Sequence, residues 1–256
     1  MKYFFTVIWG IICVSVLVYG QFHWNQQTTA VKAVQPVITV EPYEQEVDTY
    51  MELAAKWPET AKEQLKQSLE SKQPFKVLFV GSSSSEWEKV VTQALTANFG
   101  SNVIQTAHYT YDQTTKEIVA ENKQLELAAE KAQLVVIEPF LLNDNGPVKI
   151  DATLANLTKI MAAIKAENPD TTFILQPSHP IYLPKYYADQ VAALKQFARE
   201  NNITYLDHWK AWPATDNPDI KKYLIEGQKG QEGPNEQGYQ VWGQFLLDYF
   251  INKKAN

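Results

Sequence analysis

The chain has 256 residues, a formal net charge of −6 and one cysteine, Cys13. Once the ends are set aside, that length holds one α/β domain with a full core. The acidic balance without any run of lysine or arginine argues against nucleic acid or an anionic membrane surface as main partner, and a lone cysteine excludes an internal disulfide, a cysteine metal site and a thiol nucleophile in the globular part.

After Lys2 the stretch 3–20 carries no charge. As a helix it would span about 27 Å at 1.5 Å per residue, close to the bilayer core. Lys2 and the free amino group favour an inside N-terminus, and Tyr19, Phe22 and Trp24 supply an aromatic belt on the far side, so the rest of the chain is expected outside the cell. Val18-Tyr19-Gly20 also suits a signal-peptidase site. Residues 1–24 therefore read as a membrane anchor or cleaved signal segment, and the domain is exported in both cases. Residues 25–46, polar and containing Pro36 and Pro42, read as a stalk. Residues 47–256 form the globular domain.

Within it, 48–71 has helical spacing through Met51, Leu53, Ala54 and Trp57, then Ala61, Leu65 and Leu69, with Pro58 starting a second segment. Short apolar runs at 77–80, 103–107, 134–137, 173–175 and 203–206 predict five strands. Between and after them, 85–99, 115–132, 151–167, 186–201 and 235–252 predict helices. Val191, Leu194, Phe197 and Ala198 share one helical face, as do Tyr239, Trp242, Phe245, Leu246, Tyr249 and Phe250. Such alternation implies α/β architecture: a five-stranded parallel sheet flanked by helices on both sides, flavodoxin-like, with right-handed crossovers.

In this architecture ligands bind beyond the carboxyl ends of the strands. Those ends read Gly81-Ser82-Ser83-Ser84, His108-Tyr109, 139–144, Gln176-Pro177-Ser178-His179 and Asp207-His208-Trp209. Ser83, between a strand and a helix, meets amide donors at the helix N-terminus and suits a nucleophile. It equally suits a capping box closed by Glu86. A serine loop opening a helix can also cradle phosphate, and His108, His179 and His208 could in principle form a three-imidazole metal site. Neither alternative brings a second signal, and no cofactor or metal is implied.

These residues resemble the SGNH (GDSL-type) hydrolases over 75–256. Gly81-Ser82-Ser83 occupies the place of the Gly-Asp-Ser motif, Leu141-Leu142-Asn143-Asp144 that of the Gly-x-Asn-Asp turn, and Pro234-Asn235-Glu236-Gln237-Gly238 the second half of the final Asp-x-x-His-Pro-Asn motif. The resemblance implies a three-layer fold with Ser83 as nucleophile and Asn143 as oxyanion donor. Gly233 stands where the family has its histidine and Gly230 where it has its aspartate. A base would then come from His208, with Asp207 beside it, from His179, or from Glu232, one residue from the expected histidine. By the same resemblance the substrate would be an acylated carbohydrate or other ester, with the protein an O-acyl (acetyl) esterase on cell-envelope polysaccharide. The alternative is a degenerate member that binds glycan or a polysaccharide-assembly partner. Phe140, Tyr182, Tyr186, Tyr187, Trp209 and Trp212 are rim rings that either face sugar or pack the loops.

Overall fold

Trp57 closes the turn between the first two helices, α1 (Tyr43–Leu53) and α2 (Glu59–Ser71). Its indole N–H donates to the Phe250 carbonyl at 3.0 Å, and its ring lies 5.7 Å from Phe75 and from Phe99. The break falls at Pro58, as expected of a residue that opens a helix but cannot continue one. The computed structural model describes residues 43–82, 87–227 and 230–253, and no side chains for 43–45, 226 and 230–232. The expected anchor and stalk up to residue 42, together with Ser83, lie outside the described residues. Among those described, no helix is long and apolar enough to cross a membrane.

The strands β1 (Phe75–Ser82), β2 (Ile104–Tyr111), β3 (Leu134–Ile137), β4 (Thr172–Leu175) and β5 (Thr204–Tyr205) form one sheet in the order β2-β1-β3-β4-β5. Every pairing in it is parallel. The chain winds outward from β1 in both directions, so the crevice belongs at the carboxyl ends of β1 and β3, where the order reverses. Ser82 and Glu138 sit there.

Helices α3 (Trp87–Phe99), α4 (Thr115–Ala120), α5 (Lys123–Ala129), α6 (Leu141–Asp144), α7 (Ile150–Glu167), α8 (Tyr186–Glu200) and α9 (Glu236–Phe250) complete the layers. Side-chain alternation along β1 divides the core. Phe75, Val77 and Phe79 join Trp57, Leu65, Trp87, Leu95, Trp242 and Phe250 on one face, while Leu78 and Val80 join Leu127, Leu157, Ile160, Tyr187 and Leu194 on the other. Each fully buried Val, Leu or Phe side chain contributes about 1.5–3 kcal/mol of transfer free energy.

Two expected elements need correction, and one element was not foreseen. β2 runs to Tyr111 rather than ending near 107, because all eight of its residues find partners on β1, from Phe75↔Ile104 to Ser82↔Tyr111. As an edge strand it tolerates polar residues, and His108 lies inside it, opposite Phe79, not in the crevice rim. The helix expected over 115–132 is two helices, α4 and α5, separated where Asn122 adopts a left-handed conformation (φ 58). Finally, 224–234 folds as an antiparallel hairpin, β6 (Leu224–Gly227) and β7 (Gly230–Pro234), for which no period-2 signal exists in so short and glycine-rich a stretch.

Candidate active site

The first residue after β3 is Glu138, fully buried. Its Oε2 accepts the Ser82 N–H at 2.7 Å, and its Oε1 accepts the Phe140 N–H at 3.1 Å and the Ser178 hydroxyl. One carboxyl thus joins the ends of β1, β3 and β4, with Ser82 directly preceding Ser83 and Ser178 directly preceding His179. Burial raises the Glu138 pKa, and the donors from Ser178, Ser82 and Phe140 oppose that rise. Phe140 reaches back by taking a left-handed backbone (φ 57), one residue before the place where the resembling family has glycine.

His179 is 2% exposed, and neither of its ring nitrogens has a hydrogen-bond partner among the described residues. Desolvation lowers its pKa to about 4, so the ring is neutral with a lone pair free. Its backbone is held by the buried Tyr187 hydroxyl, which donates to the His179 carbonyl at 3.1 Å.

His208 differs in kind. It is completely buried and stacks on Trp242 with centroids 4.2 Å apart and planes 10° apart. Its Nε2–H donates to the Pro177 carbonyl at 2.9 Å, and its Nδ1 accepts the Trp212 indole N–H at 3.2 Å. Burial lowers its pKa to about 3. With one nitrogen donating and the other accepting, this ring has no lone pair left for a serine proton. Asp207 is turned away toward Lys195 at 2.7 Å and Lys210 at 3.7 Å. Neighbours in a nearly extended chain point to opposite sides.

The Asn143 amide donates to the Gln113 carbonyl at 3.1 Å and, more weakly, to the Tyr111 carbonyl at 3.4 Å. It therefore bridges to the end of β2, and an oxyanion would have to draw on the weaker of these contacts. Asp144 is buried and accepts the Thr115 N–H at 2.8 Å, the Thr115 hydroxyl at 2.6 Å and the Thr153 hydroxyl at 2.5 Å. It fastens α4 and α7 beneath the turn. Glu232 belongs to β7, and its side chain lies outside the described residues. Gly230 and Gly233 also fall in β7, with Gly233 opposite Ile225.

The second half of the last motif has a structural explanation. Asn235 caps α9 by accepting the Gly238 N–H at 3.1 Å and donates to the Lys222 carbonyl at 2.8 Å. A Cβ on Gly238 would collide with the Tyr223 carbonyl and stand 2.9 Å from Pro234 Cβ and 3.0 Å from Trp212 Cη2. Asn235 and Gly238 therefore hold α9 in place, whatever the site does.

The structure brings Ser82, Glu138 and Ser178 together at the reversal point, and His179 follows Ser178 in the chain. It leaves His108 on the edge strand, so three imidazoles are not gathered. Among the described residues no cluster of three or more His, Cys, Asp or Glu could hold a metal ion. Of the rim rings, Phe140, Tyr187 and Trp212 are buried and serve the core, whereas Tyr186 is 80% exposed. Sequence reasoning missed the roles of Glu138 and Ser178. The available signal was a single carboxylate closing the apolar run 134–137.

No family model matches the chain and no curated protein matches it. Solved structures do. A GDSL-like lipase of Parabacteroides merdae superposes with a TM-score of 0.53 at 12% identity, covering 70% of this chain and 96% of that one. A lipolytic protein of the G-D-S-L family from Desulfitobacterium hafniense gives 0.51 at 19%, covering 68% and 98%. A carbohydrate esterase family 3 protein of Talaromyces cellulolyticus gives 0.54 at 15%, covering 68% and 95%. The class defined by the sheet order and these superpositions is a three-layer α/β protein. More particularly, the domain has a divergent SGNH hydrolase-type fold.

Proposed function

We propose that this protein is an SGNH-like esterase that removes O-acyl groups, acetyl among them, from cell-envelope polysaccharide, with Ser83 as nucleophile and His179 as base. The observation that carries the proposal is the contrast between the two buried histidines: His208 has both nitrogens committed, whereas neither ring nitrogen of His179, next in the chain after Ser178, has a partner among the described residues. A neutral imidazole is the form that can take a proton. Ser83 Oγ would attack the ester carbonyl as its proton passes to His179. The imidazolium would return that proton to the departing sugar hydroxyl, and water would hydrolyse the acyl-serine by the same exchange. The oxyanion would draw on amides at the start of α3 and on Asn143, through the N–H now in its long contact. The carbohydrate esterase among the structural neighbours supports the substrate class. The uncharged stretch 3–20 supports an anchored domain outside the cell.

The second reading, a fold retained for binding glycan or an assembly partner, is favoured by glycine at both family triad positions, 230 and 233. Acetate release from an acetylated polysaccharide and turnover of p-nitrophenyl acetate, each compared with Ser83→Ala, decide between them. Equal rates in the two proteins would leave only the binding reading.

A further inference from the structure

We infer that Glu138 is the positioning residue of this site, tying Ser82, which precedes the serine, to Ser178, which precedes the histidine. This rests on the assignment of Ser83 and His179 above and adds a residue that neither the sequence motifs nor the fold resemblance supplies.

The ladder between β1 and β3 ends at Val80↔Ile137, and that between β3 and β4 at Ile137↔Leu175. One further backbone bond closes each edge, Glu138 N–H to the Val80 carbonyl at 2.8 Å and Gln176 N–H to the Ile137 carbonyl at 3.1 Å. Beyond them no ladder joins these three strands among the described residues. The Glu138 carboxyl takes over where the ladder stops. One oxygen accepts the amide of Ser82, and the other accepts the hydroxyl of Ser178 and the amide of Phe140. All three partners donate, an arrangement that an ionised carboxylate satisfies and a carboxamide cannot, because its NH2 would face one of those donors.

The side chain is wholly buried, so water cannot replace a lost bond at either oxygen. Misplacing reacting groups by about 1 Å costs on the order of 10²-fold in rate. In the resembling family an aspartate in the last loop orients the base. Here that place is Gly230, and the buried acid lies at the end of β3 instead. It acts through the residue before each reacting group, not on the imidazole itself.

The test uses the full-length protein in detergent, with kcat and KM for p-nitrophenyl acetate and the rate of labelling by a fluorophosphonate probe, in wild type, Ser83→Ala, Glu138→Gln and Ser178→Ala. The expected result is a kcat about 10²-fold lower in E138Q and about tenfold lower in S178A, with KM within about twofold and labelling slowed in parallel. S178A leaves the carboxylate and its two amide partners in place, so it decides the matter if E138Q does not fold. Ser83-dependent turnover that is unchanged in E138Q and S178A, or that falls only with the folded fraction measured by circular dichroism, overturns the role of Glu138 and leaves the esterase standing. Wild type indistinguishable from Ser83→Ala removes the esterase, and this role with it.

Discussion

Replacing His179 with phenylalanine should uncouple stability from activity, and the size of the effect follows from its surroundings. Neither ring nitrogen has a partner among the described residues, so H179F breaks no hydrogen bond to them. Filling the same buried site with a slightly larger ring should change stability at pH 7 by about 1.5 kcal/mol or less. Acid separates the two proteins. An unfolded histidine titrates near 6.5 and this folded one near 4, so between those values the unfolded chain binds more protons and wild-type stability falls as pH falls. The loss grows by about 1.36 kcal/mol per pH unit below 6.5, reaching about 2 kcal/mol at pH 5, and H179F escapes it. Urea denaturation followed by tryptophan fluorescence at pH 7 and pH 5 measures both numbers. H179F should gain about 2 kcal/mol relative to wild type on going to pH 5 while losing Ser83-dependent ester turnover at either pH. A stability difference that is the same at both pH values would refute the buried, neutral and unpartnered state on which the reasoning stands.

Other changes are predicted to act through packing and hydrogen bonding. His208→Phe preserves the stack on Trp242 but leaves the Pro177 carbonyl and the Trp212 indole without partners, so chemical denaturation should show a loss of about 2–5 kcal/mol at pH 7, in contrast to H179F. Gly238→Ala should lower stability by about 1–3 kcal/mol in spite of alanine's better helix propensity, since its Cβ meets Tyr223, Pro234 and Trp212; at about 2–4 °C per kcal/mol this is visible in a thermal melt. Restoring the family residues by Gly230→Asp with Gly233→His should leave ester turnover at the wild-type level. Position 233 is buried and paired with Ile225, and a rise of tenfold or more would show that the base belongs on that hairpin and not at His179, beyond β4.

Much of the domain could be read along the chain. The runs at 77–80 and 134–137 are apolar throughout because a parallel strand is buried on both faces, and the helical stripes at 191–198 and 239–250 follow the 3.6-residue period of a surface helix. The break at Pro58 is a property of one residue. β2 was legible only in its first half, since an edge strand hydrogen-bonded to β1 needs no continuous apolar run, and His108 and Thr110 disguised the rest. The hairpin at 224–234 carried no period at all. The motif fragments that matched a known family proved to include structural pieces, with Asp144 fastening two helices and Asn235 and Gly238 seating α9.

By itself the sequence determined the layer architecture, the order of elements, the crevice end of the sheet and the absence of a histidine and aspartate in the last loop, because these depend on local period and residue identity. Which histidine has a lone pair to offer, and that a single carboxyl ties three strand ends together, only the tertiary structure decided. His179 and His208 are alike in composition and in place, each beyond a strand end. They differ in what the fold sets around them: Trp212 and the Pro177 carbonyl engage the nitrogens of His208, and no described residue engages those of His179. Hydrogen-bond partners contributed by residues dozens of positions away leave no trace in the local sequence, which is why Glu138 became visible only once β1, β3 and β4 lay side by side.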